Sequence, residues 1–394
     1  MQAIFALLFW TCLGGIVYAY IGYPIIIWCL SRWFGRWEDP AVPHDEDLPL
    51  ISLLVAAFNE EDVIDERIRN ALALDYPAKK LEIVIASDGS TDATAEIVRR
   101  YAPQGVRLLD YPCQRGKPTV LNSSFPDLKG EIVLMSDANT AYDRMAARNI
   151  VRWFRDPRIG VVCGRLVLTD PETGGNADSL YWKYETFLKI CEGRLRALLG
   201  ANGGIYAIRR ELFQPIPKDT TCDDFVIPLQ ARLRTGCAIL FDDQAIAREE
   251  TPTTVRSEFR RRSRIGAGCF RSIPMLWRLL DPRQGWIAFT FFSHKILRWL
   301  CPFFMLGLLV VNPFLWQDPY YRGALVAQAA FYLVSTALAF VPGRFKILKP
   351  LRITTMFTGM NAALLVGFWR WLWGSQKGVM MRTPRRAGAD GSLA

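Results

Sequence analysis

ISLLVAAFNEE, Ile51–Glu61, is the stretch on which the fold turns. Ile51–Ala57 is a continuous apolar run, and Asn59, Glu60 and Glu61 follow it. Unbroken rather than alternating apolar character is what a strand covered on both faces shows. The pattern recurs at Leu81–Ser87, followed by Asp88, and at Glu131–Met135, followed by Ser136-Asp137-Ala138-Asn139. Val106–Leu109 is a shorter strand between them. Helical periodicity fills the intervals at Glu60–Leu74, which Pro77 stops, at Asp92–Tyr101 and at Pro118–Phe125. This alternation predicts a parallel, doubly wound α/β sheet. Ligands of such sheets bind beyond the carboxyl ends of the strands, where Asn59, Glu60, Asp88 and Asp137 stand. Asp137 and Asn139 offer hard oxygens of the kind that suit Mg²⁺ or Mn²⁺.

Two common nucleotide folds are excluded. A dinucleotide-binding sheet needs GxGxxG after the first strand, whereas this chain has AAFNEED, whose acids repel a pyrophosphate. The only Gly-Lys pair, Gly116-Lys117, lacks the upstream glycine and the following Ser or Thr of a P-loop. With only two histidines, His44 and His294, proton transfer falls to carboxylates. The nine cysteines form no CxxC pair, so neither a zinc site nor a disulfide framework is expected.

Of the 394 residues, 51% are apolar, and 13 are Trp, which favours membrane interfaces. The net charge of +10 fits helices and loops facing anionic lipid, or a cleft for a diphosphate. Because the basic residues sit beside apolar spans, nucleic acid is not expected as a partner. Ala3–Leu30 is long enough to cross a bilayer, and it lacks the basic start and short apolar core of a cleaved leader. Arg32 and Arg36 after it predict a cytoplasmic end there, and so a cytoplasmic domain beyond. Leu300–Trp316, Ala324–Val341 and Met356–Trp373 are further apolar segments. Arg344, Lys346, Lys349 and Arg352 mark a cytoplasmic loop between the last two. Lys377, Arg382, Arg385 and Arg386 argue the same side for the tail. Both cannot hold if all the segments cross, and Met356–Trp373, interrupted by Asn361 and Arg370, is the one expected to be re-entrant or interfacial.

Seven motifs occur in order: SLLVAAFNEE (52–61), IASDGSTD (85–92), RGKPTVLN (115–122), MSDANT (135–140), GANGGIYAIRRELF (200–213), TCDDF (221–225) and RRRSRIGAG (260–268). Together they resemble the motif series of membrane-integrated family 2 glycosyltransferases, which have the GT-A fold, from about Pro49 to Gly268. The resemblance implies an inverting, metal-dependent transferase using a nucleotide sugar, most readily a UDP-sugar. Donor contacts would come from Asn59, Glu60, Asp88, Arg115, Lys117 and Arg264, with Asp88 on the uracil or ribose and the basic residues on the diphosphate. Asp137 would hold Mg²⁺ or Mn²⁺. Asn139 stands where many relatives carry a second Asp, which lowers the ligand charge. Asp224 matches the general base, with Asp223 beside it, although acids at a helix start also serve as caps. Trp182, Tyr184, Asn202 and Gly203 are the acceptor-side candidates. The aromatic pair equally suits a core or membrane-interface role. Where many processive relatives have Gln-x-x-Arg-Trp, this chain has Arg261, Arg264 and Ile265, which removes a stacking platform for a growing polymer.

The expected division is a membrane helix at 1–34, a cytoplasmic GT-A domain with a mixed sheet at 48–250, amphipathic interface helices at 251–299, membrane segments at 300–374 and a basic tail at 375–394. Within the interface region Ser293–Trp299 is expected to lie on the membrane surface. The implied partners are a nucleotide-sugar donor, membrane lipid, and a polysaccharide or lipid-linked acceptor at the cytoplasmic membrane. Transfer of one sugar to a polyprenyl phosphate or glycolipid is the alternative. A catalytically silent scaffold is the reading from another class.

Overall fold

A computed structural model describes residues 1–35, 39–169, 180–250, 255–340 and 351–374. Arg36, Arg344, Lys346, Lys349 and the basic tail from 375 on, all used above to orient the chain, lie outside these residues. The described residues divide into two compact units, one within 1–26, 258–271 and 291–374, the other within 27–257 and 272–290.

The second unit is built on one mixed sheet of eight strands. These are β1 (Ile51–Ala57), β2 (Leu81–Asp88), β3 (Val106–Tyr111), β4 (Ile132–Asp137), β5 (Thr140–Tyr142), β6 (Ile159–Thr169), β7 (Tyr206–Arg209) and β8 (Ala238–Glu250). They lie in the order β3-β2-β1-β4-β7-β6-β8-β5. The four strands expected from sequence form the parallel half, with β1 between β2 and β4. Every residue of β1 is buried, which is why its sequence does not alternate. The other half brings in antiparallel pairing of β7 with both β4 and β6. It was not legible as individual strands, because β7 is four residues long and β8 carries charges along its length.

The parallel register sets the site. Ala56 of β1 pairs with Asp137 of β4, and Ala57 with Ser87 of β2, so Asp88 and Asp137 emerge at the same edge of the sheet. Aliphatic residues of one face, among them Leu53, Val55, Ile85, Leu134 and Val162, are wholly buried with Ile150 behind that edge.

In the first unit, helices predominate. Gln2–Phe34, Trp286–Leu315 and Pro319–Ala339 are three helices long and apolar enough to cross a membrane. Helix Arg352–Leu372 covers most of Met356–Trp373 and is not among them. Ser293–Trp299 lies within the apolar run that starts at Trp286, and Ser293, His294 and Arg298 are buried. His294 and Arg298 are four residues apart and therefore share one helix face, where Arg298 Nη1 lies 2.9 Å from His294 Nε2. The polar residues thus bond to one another inside the unit instead of facing lipid.

Candidate active site

The loop leading from β3 into helix Lys117–Ser124 is held from beneath by Asp88. Asp88 is wholly buried, and its two carboxylate oxygens accept the backbone N–H of Arg115 at 2.7 Å and of Gly116 at 2.8 Å. Gly89 has φ +66, and a Cβ on it would stand 2.4 Å from the backbone of Cys113. The Asp-Gly pair therefore lets that loop pack against the end of β2 and fixes its course. Each Asp88 oxygen, expected from the resemblance to meet a uracil or ribose, thus already accepts one backbone N–H of the loop.

Asn59 also turns inward on the fold. It adopts φ +53, its Oδ1 accepts Thr91 N–H at 2.8 Å and its Nδ2 donates to Thr91 Oγ1 at 3.3 Å. Glu60 N–H donates to Thr94 Oγ1 at 2.8 Å. The pair ties the loop after β1 to the loop after β2, which places these residues in the frame of the cleft. Arg115 stacks its guanidinium over the Tyr111 ring at 4.0 Å. Its buried Nε and Nη2 have no hydrogen-bond partner, so donors remain for a bound anion or carbonyl.

Lys117, the first residue of its helix, reaches the carboxylates. Its Nζ is 2.8 Å from Asp137 Oδ1 and 3.2 Å from Asp223 Oδ2. Burial by itself would lower the Lys117 pKa, but Asp137 and Asp223 outweigh it and hold it well above the ordinary value.

Asp223 and Asp224 occupy the first turn of helix Asp223–Thr235. Pro228 lies inside this helix and has no N–H to give to the carbonyl four residues back, that of Asp224. Ala201 N–H takes that carbonyl instead, at 2.8 Å, and Gly203 N–H donates to Asp224 Oδ2 at 3.1 Å. The proline thus couples the helix to the loop before β7. Burial, then the negative charge of Asp223, pushes the Asp224 pKa up from 3.8 to about 6, against the pull of Lys117.

Gly203 is where the two carboxylates meet. A Cβ placed on it would stand 3.4 Å from both Asp137 Oδ2 and Asp224 Oδ2. The missing side chain leaves a small space with an acid on either side.

Two of the acceptor-side candidates are occupied by the fold. Asn202 is buried, donates from Nδ2 to Gly164 O at 2.8 Å, and accepts from Lys189 Nζ. Trp182 donates its indole N–H to Leu166 O at 2.7 Å and packs on the sheet's core. The polar atoms of both side chains are therefore engaged in shaping the loop and helix. Tyr184 is half-buried on the same helix, Leu180–Arg194. Arg264, also half-buried, lies on helix Val255–Leu276 and belongs to the other unit.

A divalent ion fits the residues present in a restricted way. Asp137 supplies a carboxylate, and Asp224 borders the same space. Asn139 donates from Nδ2 to Glu249 Oε1 at 3.0 Å, which commits its amide group to β8. No group of three or more His, Cys, Asp or Glu side chains able to hold a metal converges among the described residues. The donor set therefore matches an ion held by one or two carboxylates and completed by phosphate oxygens, as is usual for Mg²⁺.

Sequence reasoning missed Tyr206 and Lys189. Tyr206 is wholly buried on β7 opposite Met135, and its hydroxyl lies in the field of Asp223, Lys117, Asp224 and Asp137, with its pKa raised first of all by burial. Its signal was only the apolar segment IYAI after a glycine pair. Lys189 acts on Asp224 as well, lowering its pKa.

Residues 52–216 match the family model described as Glycosyl transferase family 2. The probable glycosyltransferase YdaM of Bacillus subtilis is 25% identical over 308 residues, covering 72% of this chain and 70% of that protein. The poly-beta-1,6-N-acetyl-D-glucosamine synthase of Staphylococcus aureus is 28% identical over 244 residues, 59% of this chain and 57% of the synthase. The chain thus spans little more than half the length of the synthase. Among solved structures, the mannosyltransferase PcManGT of Pyrobaculum calidifontis, in complex with GDP-Man and Mn²⁺, superposes with a TM-score of 0.69 at 24% identity. That match covers 95% of this chain and 99% of the other. Residues 52–216 are thus similar to the family 2 glycosyl transferase domain, and the chain has the mixed α/β fold of the GT-A glycosyltransferases.

Proposed function

We propose that this chain is an inverting glycosyltransferase that moves a sugar from a nucleotide sugar, taken to be UDP-linked, onto a saccharide or lipid-linked acceptor at a membrane. Asp224 is the general base in this proposal. A carboxylate with a pKa of about 6 has the basicity to take a proton near neutral pH, and the Gly203 N–H holds its oxygen beside the open space. That observation carries the reading. As the acceptor oxygen loses its proton to Asp224 it bonds to the anomeric carbon, and the bond from that carbon to the diphosphate breaks. One displacement inverts the centre.

The remaining residues bind and orient. Lys117 and Arg115 neutralise the diphosphate, and Asp88 and Asn59 hold the loops that carry the donor pocket. Asp137 would hold Mg²⁺ or Mn²⁺, which when bound offsets charge on the leaving nucleoside diphosphate. The three apolar helices support attachment to a membrane, and the basic residues Arg32 and Arg36 around the end of the first of them support a cytoplasmic catalytic domain. We assign 1–34 and 300–374 to the membrane, 48–250 to catalysis, 251–299 to the interface and 375–394 to a basic tail.

The test is Asp224→Asn in membranes supplied with a panel of UDP- and GDP-sugars. Sugar transfer should vanish while UDP affinity stays nearly intact, and unchanged turnover would refute the base. Ile265, in the place of a stacking Trp, favours a second reading in which a single sugar is added. Radiolabelled product resolved by gel and by organic extraction separates a polymer from a singly glycosylated lipid.

A further inference from the structure

The cation that stands among the acids is the chain's own. Lys117 Nζ is within ion-pair distance of Asp137 Oδ1, at 2.8 Å, and of Asp223 Oδ2, at 3.2 Å. Its position is built rather than incidental. Lys117 follows Arg115 and Gly116, whose N–H groups are held by the buried Asp88 at 2.7 and 2.8 Å. The side chain is only 19% exposed, and Asp223 opposite it only 10%, so little water screens the pair. A divalent ion on Asp137 would meet an ammonium already bonded to the same carboxylate. Two cations on one carboxylate repel, and in a half-buried site that repulsion is not screened away. A diphosphate changes the balance, because it offers the ammonium other oxygens and brings negative charge for the metal.

We infer that Lys117 is the resident counter-ion of the metal ligand Asp137: its ammonium holds that carboxylate, together with Asp223, until a nucleoside diphosphate draws it away, so that metal and nucleotide bind interdependently. This rests on the proposed function, which gives Asp137 to the metal. It goes beyond that function in making Lys117 the gate on metal entry. Removing the ammonium should strengthen metal binding in the absence of nucleotide, opposite to what loss of a simple donor-binding lysine would do.

The experiment measures free Mn²⁺ by electron paramagnetic resonance over the full chain in detergent. Wild type, Lys117→Met and Lys117→Arg are each titrated alone and with saturating UDP or GDP. Without nucleotide, Lys117→Met should hold Mn²⁺ about ten-fold more tightly than wild type, while Lys117→Arg stays with wild type. Nucleotide should tighten Mn²⁺ on wild type by about ten-fold, within the usual range of coupling between sites. On Lys117→Met, nucleotide should tighten Mn²⁺ by less than on wild type, because the phosphate oxygens still ligate the ion but no ammonium is left to be released. Equal Mn²⁺ affinity of wild type with and without nucleotide overturns the inference and needs no variant to be folded. So does Lys117→Met binding no tighter than wild type, and in either case Mn²⁺ bound to wild type leaves the metal role of Asp137 standing. No Mn²⁺ on any form under any condition overturns that role, and the inference with it.

Discussion

Replacing Asp224 by Asn should make the protein more stable while it destroys turnover. Burial and the neighbouring Asp223 raise the Asp224 pKa from 3.8 to about 6. The folded chain therefore holds this proton more tightly than the unfolded chain does. Wild-type stability must then fall as pH rises from about 4 through about 6, since the unfolded state releases the proton first. Above pH 6 the full penalty is present, and a change from 3.8 to about 6 corresponds to about 3 kcal/mol. Asn has nearly the same shape and keeps an oxygen for the Gly203 N–H, which lies 3.1 Å from Asp224 Oδ2. It carries no charge to bury. The gain should approach about 3 kcal/mol at pH 8, shrink as pH falls through about 6, and vanish only at about pH 3, below the unfolded pKa. Denaturant unfolding of the full chain in micelles at pH 4.5 and pH 8, wild type beside variant, measures it. A variant no more stable at pH 8, or one whose advantage grows toward pH 4.5, would refute the account of Asp224 as a carboxylate strained by its surroundings.

Other expectations concern the same space. The acid limb of kcat/KM for wild type should have a midpoint near pH 6 and move to lower pH in Asp223→Asn, because the Asp223 charge raises the Asp224 pKa. A pH profile of both proteins decides it. Gly203→Ala puts a methyl 3.4 Å from Asp137 Oδ2 and Asp224 Oδ2, an ordinary contact that leaves the fold intact but fills the site. Turnover should drop by about a hundred-fold with little change in melting temperature, and normal activity would show that no ligand atom passes there. Asp88→Asn can accept only one of the two backbone N–H groups, so it should lose about 1–3 kcal/mol of stability and weaken nucleotide binding, as unfolding and UDP titrations would report. EDTA should abolish transfer and Mn²⁺ or Mg²⁺ restore it, whereas full activity in chelator would remove the metal from the scheme.

The sequence by itself determined the parallel half of the sheet. Ile51–Ala57, buried at every residue, could only be a strand covered on both faces, and the acids after it and after β2 and β4 mark the ligand edge. Local pattern also singled out the Asp223-Asp224 pair and the long apolar helix at the start of the chain. Those signals are short-range, and a single sequence carries short-range signals well.

Tertiary structure decided which of the marked residues face open space. Asp88, Asn202 and Trp182 carry chemically suitable groups, yet backbone atoms distant in sequence claim them, Arg115 and Gly116 for the first, Gly164 for the second and Leu166 for the third. Composition cannot tell a carboxylate that will meet a ligand from one that will meet an amide 27 residues away. Nor could it show that Pro228 would free the Asp224 carbonyl for Ala201 N–H, or that Lys117 and Tyr206 would gather around Asp137 and Asp223. The acids were legible because residue type is written in the sequence. Their partners were not, because partnership depends on which strands become neighbours, and β7 joins β4 only when the whole sheet has formed.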